Sequence, residues 1–214
     1  MTSLAGREAT HQPLGLGVLG GAFNPPHLAH RRLAAVALER LPIAELRVIP
    51  AGDHPHKGDR DMAPAADRLA MCYLLFEGMP KVVIDDRELH RSGPCFTVDT
   101  LEELHASAPQ RPLFFLIGSD NLPLLATWRS PERILALCTV VTYPRVGFPV
   151  TADVVQRVPL PADQRARLLA NVLELPADAI AATDLRRRWR AGERDLAALS
   201  PNVRDYIAAH SLYR

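Results

Sequence analysis

The stretch GGAFNPPHLAH, from Gly20 to His30, concentrates groups able to act on an anion. Gly20 and Gly21 leave their backbone open to close approach by a ligand, and Pro25 and Pro26 stiffen the descent into a helix. His27 and His30 stand three residues apart at the start of that helix, so their imidazoles share one face. A helix N-terminus adds unpaired N–H groups and partial positive charge at the same place. A histidine pair alone is more often structural or solvated. Joined to a strand-ending glycine pair and a proline-stiffened turn, it reads as a phosphate cradle.

Other candidates are scattered along the chain, and each has a plain alternative. His56 and Lys57 lie in the polar loop AGDHPHKGDRDMAP, as neutralisers of phosphate or as a solvated basic pair. Gly118 and Asp120 close the apolar run RPLFFLIG, where the carboxylate either takes ribose hydroxyls or caps the next segment. Trp128 offers a flat face for a ring or fills the core. Arg186, Arg187, Arg188 and Arg190 form a basic knot, but a helix would point them in several directions. Arg186, in the first turn after Thr183, is the one aimed at phosphates.

These residues need a scaffold that brings strand ends together. LGLGVLGG (Leu14 to Gly21) suits a strand buried on both faces. His27 to Leu41 follows as a helix, with Leu33, Val36, Ala37 and Leu41 on one side and Pro42 as its stop. Strands are expected at Glu45 to Pro50, Lys81 to Asp86, Arg111 to Gly118 and Cys138 to Pro144. Helices are expected at Ala65 to Gly78, at Thr97 to Ala108 with Thr97 as cap, and at Pro131 to Leu137. Phe148 to Pro176 reads as irregular, with at most a weak late strand. Thr183 to Arg190 reads as a short helix capped by Thr183 and stopped by Gly192, and Pro201 to His210 as the last one. The alternation predicts an α/β fold: a Rossmann-like open parallel sheet flanked by helices, with a small helical C-terminal piece at about 177–214. Residues 1–13 read as a loose tail and 14–214 as a single domain.

Composition excludes several classes. Of the 214 residues 48% are hydrophobic and 23% charged, unlike disordered, collagen-like or coiled-coil chains. Twenty-five basic against 24 acidic residues leave a net charge of +1, so no global field recruits nucleic acid or anionic lipid. Any anion must be caught locally. Cys72, Cys95 and Cys138 are widely spaced and fit neither a disulfide framework nor a zinc site, which suits a cytoplasmic setting. No run of about eighteen apolar residues offers a membrane span.

GGAFNPPHLAH also resembles the GGxFxPxHxGH signature of the nucleotidyltransferases that carry an HxGH motif. VIPAGDHPHK is similar to their second strand with its PPH(K/R) loop, and DDRELHRSGPCFTVDTL to a DxREL…SYTxxTL block. LIGSDNLPLLATW resembles an IGxDxL…W block, IAATDLRRRW an ISxTxIR motif and YIAAHSLYR a YIxxxxLY ending. Taken in order, these stretches resemble the bacterial nicotinate mononucleotide adenylyltransferases from about Leu16 to Arg214.

The resemblance implies adenylyl transfer from ATP to nicotinate mononucleotide, giving nicotinate adenine dinucleotide and pyrophosphate in NAD biosynthesis. It implies His27, His30, Lys57 and Arg186 as the catalytic set. Gly20, Gly21, Ala22 and Phe23 would join the histidines on ATP, with Gly118, Asp120, Thr183 and Arg186 completing that side. Asn24, His56, Lys57 and Thr97 would meet the mononucleotide, together with Asp120, Trp128 and Arg145. Mg2+ would be held by phosphate oxygens rather than by a carboxylate cage. Small molecules are the implied partners, without nucleic acid or membrane; the oligomeric state stays open.

The chain departs from the pattern at three places: Ala29 stands for the glycine of HxGH, Ala181 for a serine of ISxTxIR, and Arg145–Gly147 reads RVG rather than RPG. Other readings are the pantetheine phosphate adenylyltransferases, class I aminoacyl-tRNA synthetases with their HIGH-type sequence, and a nucleotide sensor without turnover. The TWxxPE stretch, the absence of a KMSKS match and the retained His27, His30, Lys57 and Arg186 disfavour them in turn.

Overall fold

The apolar run after Leu14 forms β1 (Gly15–Gly21), the middle strand of the computed structural model, which describes residues 14–52 and 62–214. The tail at 1–13 and the pair His56 and Lys57 therefore lie outside the described residues. α1 (Leu28–Arg40), β2 (Ile43–Pro50), α2 (Ala65–Phe76) and β3 (Val82–Ile84) follow in turn. α3 (Thr97–Ser107), β4 (Leu113–Gly118), α4 (Pro131–Leu137) and β5 (Cys138–Tyr143) come next. The sheet order is β3-β2-β1-β4-β5, and every pair of neighbours is parallel. The chain thus winds outward from β1 on one side, then returns to β1 and winds out on the other. That places the topological switch point between β1 and β4, where ligands bind in open α/β sheets.

Strand side chains alternate between two apolar clusters, as the two-residue period requires. Leu19, Val48, Leu116 and Val141 join α1 and α2 on one face, while Val18, Ile49, Phe115 and Val140 join α3 and α4 on the other. Glycine keeps β1 slim: a Cβ at Gly17 would lie 2.7 Å from both Ile43 Cδ1 and Leu46 Cδ1, which reach across from β2.

Two short helices, α5 (Ala152–Gln156) and α6 (Ala162–Ala170), occupy the segment expected to be irregular. Their prolines sit before them rather than inside, with Thr151 Oγ1 accepting from Val154 N–H at 3.3 Å as an N-cap and Pro161 leading into α6. The late strand is a single bridge, Thr142 with Val172. α7 (Ala182–Arg190) and α8 (Pro201–Ala209) add Leu185, Trp189, Val203 and Ile207 to the cluster of α1 and α2. Gly192, with φ +92°, ends α7 as expected. Neither expected threonine cap forms: Phe96 precedes α3 and Ala181 precedes α7, each without a side-chain cap, and Thr97 and Thr183 lie inside the first turns. All three cysteines are buried and none is in a disulfide. No helix among the described residues is long and apolar enough to cross a membrane.

Candidate active site

β1 delivers its last glycines to the switch point, and the turn after them is held from three sides. Phe23 is buried with φ +45°, a left-handed backbone that non-glycine residues adopt only when their surroundings fix it. Those surroundings are polar and specific. Arg68 Nη1 donates to Ala22 O at 2.9 Å, and Arg186 Nη1 donates to Asn24 O at 2.9 Å. The Asn24 amide oxygen accepts from Ala63 N–H at 3.0 Å and from the Tyr213 hydroxyl at 2.8 Å. Both arginines are buried. The Asn24–Pro25 peptide is cis.

His27 is the N-cap residue of α1 and His30 its third residue. Their rings stack with centroids 3.8 Å apart and planes 27° from parallel, and Phe23 leans on His30 at 4.9 Å. His27 backbone N–H donates to His30 Nδ1 at 3.1 Å. An accepting Nδ1 leaves the His30 proton on Nε2, which fixes that imidazole as a donor. Burial lowers the His27 pKa to about 4, with Arg145 lowering it further and Asp178 opposing. Burial, then His27 and Arg145, hold His30 well below its ordinary value. Both rings are therefore neutral at pH 7. His27 itself is buried, 2% exposed, at the head of the helix.

The two histidines open onto a cavity of about 370 Å³. Ala29, Leu33 and Val36 of α1 form one wall, and Tyr143, Arg145 and Leu175–Ala179 the other. Asp178 crosses between the walls. Its carboxylate pairs with Arg32 and accepts from Ile180 N–H at 3.0 Å, and the Arg32 guanidinium lowers the Asp178 pKa against the opposing effect of burial. Neither Arg32 nor Asp178 was signalled by a sequence motif.

Beside β1, the end of β4 meets the same turn region. Ser119 Oγ donates to Phe148 O at 2.6 Å and accepts from Arg145 N–H at 2.8 Å, tying β4 to the loop after β5. A Cβ at Gly118 would strike Asp120 Oδ1 and come within 3.2 Å of Arg145 Cγ. Glycine is thus required there by its own neighbours, which it lets close in. Gly20 is the opposite case: its φ is not left-handed, and a Cβ would meet no atom within 4 Å among the described residues beyond its chain neighbours. Open space lies over its backbone.

The structure gathers Gly20, Gly21, Ala22, Phe23, Asn24 and His27 in one turn, with His30 of α1 and Arg186 of α7 against it and Gly118, Asp120 and Arg145 at the adjoining strand ends. Arg145 shares the cavity with the histidines. Thr97 is the first residue of α3, and Trp128 ends a 3-10 helix at Ser119–Thr127, partly buried and edge-on to Phe115 at 6.1 Å. They belong to the opposite face of the sheet from the cavity. Thr183 lies one turn ahead of Arg186 in α7. The rest of the arginine knot disperses: Arg187 pairs with Asp184, and Arg188 reaches Glu193 at 2.8 Å. Arg68 and Tyr213, which hold the turn, were not singled out by residue type; for Tyr213 the closing YIAAHSLYR motif was the available signal.

A cytidylyltransferase-like family model matches residues 18–188. The chain is 39% identical over 199 residues to a probable nicotinate-nucleotide adenylyltransferase of Albidiferax ferrireducens, covering 93% of this chain and 98% of the relative. It is 38% identical over 200 residues to one of Thermomicrobium roseum, covering 93% and 91% respectively. Among solved structures, Plasmodium falciparum nicotinic acid mononucleotide adenylyltransferase complexed with NaAD superposes with a TM-score of 0.74 at 19% identity, covering 93% of this chain and 97% of that one. The likeness in fold and the matched length agree with the parallel sheet and its switch-point turn, and the chain belongs to the cytidylyltransferase-like nucleotidyltransferases, in the family of the nicotinate-nucleotide adenylyltransferases.

Proposed function

We propose that the chain transfers the adenylyl group of ATP to nicotinate mononucleotide. The observation that carries this reading is the stacked, neutral histidine pair at the N-terminus of α1, set beside the open backbone of Gly20 at the switch point. The cavity next to the pair takes the nucleoside end of the triphosphate, against the apolar surfaces of Leu33, Val36 and Leu175. A mononucleotide phosphate oxygen forms a bond to the α-phosphorus, the bond from that phosphorus to the bridging oxygen breaks, and pyrophosphate leaves. The nucleophile is already an anion, so no strong base is needed, and alignment with charge stabilisation suffices. His30 donates from Nε2 to the α-phosphate oxygens as their charge grows. His27 adds a second contact through its imidazole. Arg145, Arg186 and Lys57 counter the phosphate charge, Arg186 also holding the turn through Asn24 O.

On the other side, the first N–H groups of α3, at Thr97, take the nicotinate carboxylate and Trp128 stacks on its ring, while Asp120 takes ribose hydroxyls. Among the described residues no cluster of three or more His, Cys, Asp or Glu side chains is placed to hold a metal ion. Mg2+ bound together with ATP would supply charge neutralisation at the phosphates. Three buried cysteines, none in a disulfide, suit work in a reducing cytoplasm.

The test is pyrophosphate release with ATP and a panel of acceptors: nicotinate mononucleotide, its amide and phosphopantetheine. Release should be fastest with the acid mononucleotide, and Gly20→Ala should abolish it without lowering Tm. Faster release with another acceptor, or full activity in Gly20→Ala, would contradict the assignment.

A further inference from the structure

The closing motif YIAAHSLYR takes no part in the steps above, yet one of its side chains reaches the phosphate-binding turn. Its two tyrosines do different things. The Tyr206 hydroxyl donates to Asp67 Oδ1 at 2.9 Å and pins α8 to α2. Beyond α8 the chain doubles back: Ser211 N–H donates to Ala208 O at 3.2 Å and Leu212 N–H to Ile207 O at 3.0 Å. Ser211 and Tyr213 both adopt left-handed backbone, with φ +54° and +59°, which is unfavourable for residues with side chains. The result is to carry Tyr213 under the turn at Asn24. There it is 8% exposed, and burial raises its pKa, keeping the hydroxyl protonated as a donor.

That hydroxyl meets the one residue through which the turn is held twice over. Asn24 Oδ1 takes the Tyr213 hydroxyl and Ala63 N–H together, which fixes the rotation of the amide. Asn24 O, on the same residue, takes Arg186 Nη1 at 2.9 Å. The direction of that carbonyl and the seat of the guanidinium are therefore set together. A phenylalanine ring would fill the same volume, so packing alone does not call for the oxygen. We propose that Tyr213 is a positioning residue for the transfer step: by donating to Asn24 Oδ1 it fixes the phosphate-binding turn and, through Asn24, the placement of Arg186.

The inference rests on the reading of the site as an adenylyl-transfer centre, and the experiment separates the two. Wild type is first assayed with ATP and each acceptor of the panel, and the variants are then compared on whichever acceptor turns over. A preferred acceptor other than nicotinate mononucleotide overturns the substrate assignment and leaves the tyrosine test intact; no turnover with any acceptor overturns both. Tyr213→Phe deletes one oxygen and leaves Asn24 Oδ1 its Ala63 partner, so Tm should move by only a few degrees. Misplaced charge in a reacting geometry should cost on the order of tenfold in kcat, with both KM values within about twofold. If the hydroxyl acts through Asn24, Tyr213→Phe should have no further effect in an Asn24→Ala background, as a double-mutant cycle reads directly. A kcat within about twofold of wild type overturns the proposal. So does a loss that only follows the unfolded fraction, or effects of the two substitutions that multiply independently.

Discussion

A neutral imidazole with its proton on the outward nitrogen can meet growing negative charge without first exchanging a proton with solvent. His30 is in that state because its Nδ1 is already used by the His27 backbone. Removing it should therefore harm the transition state more than the ground state. His30→Ala is expected to lower kcat by on the order of a hundredfold, or ~3 kcal/mol, with the KM for ATP little changed; steady-state kinetics with ATP varied checks it. The same burial has a consequence for folding. His27 goes from an ordinary value of 6.5 to about 4 on folding, so between those values the unfolded chain binds a proton that the folded chain refuses. Stability contributed by the neutral ring is complete above pH 6.5 and is lost as the pH falls toward 4, by about 3 kcal/mol in total at 1.36 kcal/mol per pKa unit. Urea unfolding at pH 7 and pH 5 should show this decline, to which the buried His30 adds in the same direction, and His27→Gln should lessen it. An equally steep decline in the variant would mean that other groups produce it.

Elements differ in how plainly the sequence announces them. The strands lie within a few residues of their expected places because each is a short apolar run between punctuation, and their burial on both faces needs no alternation. α5 and α6 were hidden: the prolines of Phe148 to Pro176 suggest irregular chain, but Pro161 precedes a helix, where a missing N–H costs nothing. Capping was misread because Thr97 and Thr183 are good cap residues lying one and two positions late, behind Phe96 and Ala181. The correction carries a prediction. Ala181 has φ −120° and ψ 129°, the extended backbone of an N-cap, and no side-chain oxygen to use it. Ala181→Ser should then stabilise α7 by ~1 kcal/mol, seen as a rise in Tm. It should also lower the KM for ATP a few-fold if the added hydroxyl reaches phosphate, whereas an unchanged Tm would show that the serine does not cap. The turn after β1 and the helix behind it were legible in GGAFNPPHLAH, where residue type and order suffice; Asp178 and Arg68 meet there only through tertiary packing, which leaves no local mark.

At the scale of the whole molecule, the proposed function would divide the site between the two faces of one sheet. The cavity and the histidines sit with α1 and the segment before α7, whereas Thr97 and Trp128 belong with α3 and the apolar cluster of Phe115 and Val140. The two nucleotides would meet only over the ends of β1 and β4. Their binding should therefore separate under mutation. Trp128→Ala is expected to raise the KM for nicotinate mononucleotide by on the order of tenfold and to leave that for ATP within about twofold, since stacking is worth roughly 1–2 kcal/mol. Equal rises in both would place the tryptophan in folding rather than in recognition.

β1 is central in a second sense. It is paired along its length with β2 and from Leu16 to Leu19 with β4, and its first five residues are buried. Amide protons of such a strand leave only when the entire fold opens, whereas those of α5 and α6 exchange by local fraying. Native-state hydrogen exchange should accordingly find Val18 and Leu19 among the slowest amides, with exchange free energies equal to that of global unfolding. The turn at Ala22–Asn24 is hung directly from this strand. Its geometry is therefore not a locally adjustable property but one that persists, undamped by sub-global opening, for as long as the molecule stays folded.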